Sequence, residues 1–247
     1  VARLAVIGGT GALALVPGDH LVRTTVDTPY GPPSGPLLHW RAGENDCYFL
    51  SRHGLEGTVA PHCVNYRANL WAIHEVEPDW VLGLNAVGGI HRDARPGQLV
   101  IPDQIIDYSW GREHTFEEHR NRPVTHVDFT VPFCAPLRDR LLRLARTVGI
   151  NLMDRGCYGV TQGPRLETAA EIDRLERDGC DVVGMTAMPE AGLARELELN
   201  YAICAVVVNY AAGRGPGEEG IHSQIDASLE RGMAAAGQLL HRLLQGR

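Results

Sequence analysis

The chain of 247 residues is 44% apolar and 21% charged and carries a formal net charge of −7. That length suits one large α/β core, so a single domain over 1–247 is expected, and the acidic balance argues against nucleic acid or an anionic membrane as the main partner. All 23 basic residues other than histidine are arginine, which excludes Schiff-base catalysis and a Walker-type lysine.

The predicted elements begin with a strand over 4–7, followed at once by Gly8-Gly9-Thr10-Gly11. Strand-like runs follow at 37–41 and 47–51, and the pattern over 64–75 reads as a helix. After strands at 80–84 and 99–101, Leu137, Leu141, Leu144 and Val148 place an apolar stripe on a second helix. Strands at 156–160 and 181–184 flank a third helix opened by the capping box Thr168-x-x-Glu171. Pro189 sits in the first turn of a fourth helix, a strand covers 201–208, and Ser223-x-x-Asp226 is expected to open a C-terminal helix. Such alternation predicts an α/β domain with a mixed, largely parallel twisted sheet flanked by helices. The polar stretch 114–130 and the glycine-rich stretch 213–220 read as loops, where binding segments and lids are often found.

Cys47, Cys63, Cys134, Cys157, Cys180 and Cys204 are dispersed, with no C-x-x-C pair. With no leader-like or membrane-length apolar segment read, reduced thiols in a cytoplasmic protein are expected. His53, His62 and Cys63 lack the spacing of zinc ligands, so no metal is expected.

Chemistry collects at the ends of the predicted strands, the side on which open α/β sheets place ligands. The strand and Gly9-Thr10-Gly11-Ala12-Leu13-Ala14 fit a dinucleotide fingerprint, which would make the chain a nicotinamide oxidoreductase. The context fails: Asp27, the only nearby acid for a ribose, lies in a proline-rich turn, and Pro17-Gly18 interrupts the helix the motif requires. What survives is a loop whose backbone N–H groups and Thr10 hydroxyl suit a free phosphate. Arg52 can offer a fork to two phosphate oxygens and His53 a further donor, with a second hydroxyl at Thr186 near the Pro189 helix.

"GGTG", "RHG", "VNYRANLWA", "NAVGGI", "QGPRLET" and "GMTAMPEAGLARE" occur in one order over nearly the whole chain. In them the sequence resembles the trimeric purine nucleoside phosphorylase and methylthioadenosine phosphorylase family, most nearly its members acting on S-methyl-5'-thioinosine. The resemblance implies a phosphate co-substrate, a purine nucleoside, no cofactor, and a homotrimer whose sites are completed by a neighbouring subunit. It assigns phosphate to Thr10, Arg52, His53, Ala86 and Thr186, and substrate contacts to Asn85 and to Met185 against the ribose. Asn209 and Ala211 replace the two aspartates of adenosine-type members. A neutral amide at Asn209 can donate to purine N7 or O6, and Glu167 matches a glutamate that accepts N1–H, so a 6-oxopurine is expected. Asn209, Glu167 and His53 are the expected catalytic groups. Leu166 stands where the family usually has a stacking phenylalanine. His126 of a neighbouring subunit, with His222 or Ile225, is implied at the 5' end. An apolar residue there favours methylthioinosine, and a histidine favours the 5'-hydroxyl of inosine or guanosine. A methylthioadenosine phosphorylase, a hydrolytic nucleosidase and a non-catalytic nucleoside-binding protein remain alternatives. Glu167 could also be a surface residue of a helix's first turn, and Asn209 a turn-former.

Overall fold

A computed structural model describes residues 2–118, 123–215 and 221–245, the side chains of 221–224 excepted. Eleven strands form one mixed sheet: β1 (Arg3–Gly8), β2 (Val22–Thr24), β3 (Leu37–Ala42), β4 (Asn45–Ser51), β5 (Trp80–Gly89), β6 (Leu99–Val100), β7 (Gln104–Asp107), β8 (Leu152–Met153), β9 (Cys157–Val160), β10 (Val182–Gly184) and β11 (Tyr201–Tyr210). Within the described residues five α-helices cover it: α1 (Tyr66–His74), α2 (Ala135–Thr147), α3 (Ala169–Arg177), α4 (Ala187–Glu196) and α5 (Ile221–Leu244). Among the described residues, none of these helices is long and apolar enough to cross a membrane.

Local chemistry sets the helix ends. Asn65 caps α1 by accepting from Ala68 N–H, and Thr168 and Glu171 close a reciprocal capping box on α3. Leu137, Leu141 and Leu144 are buried along α2 as their spacing predicts, while Val148 is its half-buried C-cap. The C-terminal expectation is corrected: α5 is already wound at Ile221, so Ser223 lies inside the helix. Nothing between Ile221 and Ser223 breaks a helix, and a capping pattern alone does not fix a start.

Helices α2 and α5 pack on one sheet face with Leu4, Val6, Leu82 and Val206. Helices α1 and α4 cover the other face with Ile7, Val81, Ile203 and Val207. Both faces of the central strands are therefore apolar, which is why 201–208 reads as an unbroken hydrophobic run. The strands missing from the sequence reading, β2, β7 and β8, are two to four residues long. Two of them, β2 and β7, end the main strand order, and all three are partly or wholly exposed, so no buried alternation marks them.

Asn85–Gly89, which follows the strand expected over 80–84, is itself part of β5. Strand β11 pairs along it as far as Tyr210, satisfying one edge of its backbone. The other edge is shared. β1 runs parallel to β5 and ends at Gly8 beside Leu84; β10 runs antiparallel, with Val183 beside Gly88. The C-terminal ends of β1 and β10 thus converge from opposite directions on residues 85–87, leaving a gap in the sheet.

Candidate active site

The gap opens into a cleft. Gly9 and Thr10 line it from the end of β1, His53 from the end of β4, Ala86 from β5, and Met185 and Thr186 from the end of β10. Leu166 and Glu167 come from the loop after β9, Asn209 and Ala211 from the end of β11, and Ile225 and Leu229 from α5. Most of the residues singled out from the sequence meet here.

The glycine loop makes a sharp turn, not an α-helix: Gly9 N–H donates to Leu84 O at 2.9 Å, and a four-residue 3-10 turn (Ala12–Leu15) follows. A Cβ on Gly9 would lie 2.9 Å from both Arg52 Nη1 and Leu84 O, so only glycine lets the loop sit this close. The missing helix removes the remaining support for a dinucleotide site.

Arg52 departs from its expected role as a two-pronged phosphate ligand. Its side chain is wholly buried, with Nε donating to Glu190 Oε2 at 2.6 Å and Nη2 to Glu190 Oε1 at 2.8 Å. Nη1 donates to Leu84 O at 3.1 Å and Nη2 also to Ile7 O at 3.2 Å. Four of its five N–H groups are committed, so one, on Nη1, remains for an anion. A guanidinium shut off from solvent is costly unless its charge and donors are compensated, and the Glu190 carboxylate in α4 does both. Tyr201 Oη donates to the same carboxylate at 2.7 Å.

His53 Nδ1 lies 2.8 Å from Val59 O. A carbonyl only accepts, so Nδ1 carries the proton, and burial followed by the Arg52 charge pulls the ring's pKa below its ordinary value, outweighing the Val59 bond. The neutral ring therefore presents Nε2 as an acceptor, where a donor was expected; a protonated phosphate oxygen suits it.

Asn85, buried under the cleft, donates from Nδ2 to Thr186 Oγ1 at 2.8 Å. The Thr186 hydroxyl proton is thereby left to donate elsewhere. Thr186 precedes α4, whose regular turns start at Pro189 after an extended Met188 (φ −117°, ψ 141°), as the residue before a proline prefers.

At the opposite end, Glu167 is half-buried and precedes the α3 N-cap, so it is not a surface residue of the first turn. Thr161 Oγ1 donates to its Oε1 at 2.5 Å. Asn209 is buried within β11, at a bulge where the register with β5 slips between Val207 and Asn209. Bulges re-aim side chains, and Asn209 is no turn-former. Its Nδ2 donates to Tyr210 O at 2.7 Å, leaving one amide proton and Oδ1 for a ligand. Ala211 is buried, Leu166 is 42% exposed, and among the described residues no Phe, Tyr or Trp lines the cleft.

Asn85 and His126, both expected as substrate contacts, are not among the residues lining the cleft. His126 is exposed on the irregular stretch 123–130 and does not line the cleft of its own chain. The side chain of His222 lies outside the described residues, as does 216–220 of the glycine-rich loop. Sequence reasoning missed Glu190, Thr161 and Arg112. The first two carried a faint signal: an acid inside an apolar helix, and a hydroxyl at a strand end.

Comparison with known proteins matches residues 3–245 to the phosphorylase superfamily. A probable S-methyl-5'-thioinosine phosphorylase of Xylella fastidiosa (strain Temecula1 / ATCC 700964) is 49% identical over 240 residues, covering 97% of each chain. A 6-oxopurine nucleoside phosphorylase of Pyrococcus furiosus is 43% identical over 234 residues, covering 93% of this chain and 87% of its own. The solved structure of methylthioadenosine phosphorylase from Schistosoma mansoni with adenine superimposes with a TM-score of 0.91 at 29% identity, covering 99% of this chain and 91% of its own.

Proposed function

We propose a reaction for a chain that belongs to the phosphorylase superfamily: phosphorolysis of a 6-oxopurine nucleoside, S-methyl-5'-thioinosine, to hypoxanthine and 5-methylthioribose 1-phosphate. The observation that carries it is one cleft with an anion end at Gly9, Thr10, His53 and Thr186, an amide and a carboxylate at Asn209 and Glu167, and Met185 in the lining. Relatives named for these substrates stand at 49% and 43% identity.

Phosphate attacks the anomeric carbon as the bond to the purine breaks, so positive charge grows in the sugar and negative charge in the base. The protein holds nucleophile and sugar in line and stabilises the departing purine. Thr10, Thr186, Ala86, the spare Arg52 N–H and the His53 acceptor hold phosphate. The free Asn209 amide proton meets N7 or O6 as charge arrives there, and Glu167 accepts N1–H. Adenine has a lone pair at N1, and setting it against a carboxylate leaves both unsatisfied, a mismatch that discriminates by on the order of 10⁴.

The 5' substituent is read from α5. Ile225 and Leu229 give the cleft an apolar wall, and a Cβ on Gly11 would lie 3.1 Å from Leu229, so this wall adjoins the phosphate loop. An apolar wall favours methylthio over hydroxyl. The reading includes no cofactor, a cytoplasmic role in recovering purine base, and a homotrimer in which His126 enters the neighbouring cleft.

The test is a panel of methylthioinosine, methylthioadenosine, inosine and guanosine with excess phosphate, following free base. Methylthioinosine is expected first and methylthioadenosine far behind. Base release without phosphate would make the protein a hydrolase, and a reversed order would overturn the roles of Asn209 and Glu167.

A further inference from the structure

Arg112 lies between the two loops that carry opposite ends of the cleft, and it lines neither end itself. It is buried, with its guanidinium 5.7 Å from the centre of the Tyr66 ring. All five of its N–H groups are used. Nη1 donates to Met185 O and Met188 O, each at 2.7 Å. Nη2 donates to Gln162 O at 2.8 Å and Thr161 O at 3.2 Å, and Nε to Gln162 Oε1 at 3.1 Å. None of these partners is charged, so the arginine acts as a brace between backbones and not as half of an ion pair.

The braced atoms matter for what they flank. Met185 O and Met188 O bracket Thr186 and the extended residue where the chain turns into α4. Thr161 and Gln162 begin the loop that ends in Glu167, and Thr161 Oγ1 itself holds Glu167. Thr161 N–H donates to Gly184 O at 2.8 Å, the Met185 side chain packs against Gly163, and Arg112 adds hydrogen bonds from one side chain to both segments.

We infer that Arg112 is a positioning residue that fixes the distance and angle between the phosphate side and the base side of the cleft by tying the 185–188 segment to the 161–167 loop. The inference rests on the phosphorolytic reading of the cleft. A planar fork with five donors can reach four carbonyls on two segments; a lysine ammonium, with three donors on one atom, cannot. Loosening the brace lets nucleophile and leaving group drift apart, and a misplacement of about 1 Å costs roughly 100-fold in rate.

The experiment compares wild type with Arg112→Lys, which keeps the charge, and with Gln162→Ala, which removes the acceptor that Arg112 Nε shares with Trp110 N–H and leaves the four carbonyl bonds of the fork in place. Circular dichroism and gel filtration establish that each is folded and assembled as wild type. Arg112→Lys is expected to lose roughly 100-fold in kcat/KM, with KM rising for phosphate and nucleoside alike and the preference for methylthioinosine over methylthioadenosine narrowing. Gln162→Ala is expected to show the same pattern more weakly, and millimolar guanidinium is expected to restore turnover to Arg112→Ala. Wild-type kinetics in folded Arg112→Lys, or a rise in KM for one substrate alone, would overturn the inference. Should Arg112→Lys fail to fold, Gln162→Ala decides by the same criteria. Phosphate-independent or absent turnover in wild type sinks the phosphorolytic reading instead, so the two failures are distinct.

Discussion

The anion end of the cleft and the base end are built differently. At the anion end Arg52 and Glu190 are wholly inaccessible and Asn85 and Thr186 are buried, each fixed by partners from other strands or helices. At the base end Glu167 is half-buried and held by one hydroxyl, Asn209 is held by one neighbouring carbonyl, and Leu166 is 42% exposed. The anion end is part of the hydrophobic core, so damage there is expected to reach stability as well as activity. The base end is carried by a loop and a strand terminus, and changes there are expected to alter selectivity while the fold persists.

The largest effect is expected from Glu190→Ala, which leaves Arg52 as an unpaired buried charge. Denaturant unfolding should show a loss of about 3–5 kcal/mol; a loss under 1 kcal/mol would mean the pair is not integral to the core. Next comes the double change Asn209→Asp with Ala211→Asp. The ratio of kcat/KM for adenine over hypoxanthine nucleosides should move by on the order of 10²-fold toward adenine. An unmoved ratio would remove Asn209 from base recognition.

A smaller effect concerns pH. Because the folded-state pKa of His53 lies below the ordinary 6.5, the unfolded chain binds the proton more readily. The His53 contribution to stability is therefore unchanged above about pH 6.5, falls as pH drops through that value, and levels off below the folded pKa. His53→Asn should lack this decline, and urea titrations of both proteins from roughly pH 7.5 to pH 5.5 measure it. Parallel pH profiles would mean the ring is not held neutral. The smallest change is expected from Leu166→Phe: an aromatic face beside the base should lower the nucleoside KM by about 0.5–1.5 kcal/mol equivalent, leaving the phosphate KM unaltered.

Signals confined to a few residues were legible in the sequence. The Thr168–Glu171 capping box, the apolar stripe of α2, the central strands and the glycine turn after β1 each depend on neighbours within about two turns or one strand, and each forms as its spacing requires. The residues lining the cleft were legible because they cluster at strand ends, where a sheet of this kind opens. Short exposed edge strands were not, since without a buried face they leave no periodicity.

The sequence by itself determined which residue types stand at the strand ends, and so the chemistry available to the cleft. Only the tertiary structure decided how that chemistry is shared out. Arg52 looked free to grip an anion until Glu190, 138 positions away, took its fork. Arg112 carried no signal in the sequence, and carbonyls 73 and 76 positions away take its protons. A buried guanidinium must find acceptors wherever the fold places them, and that demand acts through space, across separations that no local pattern records.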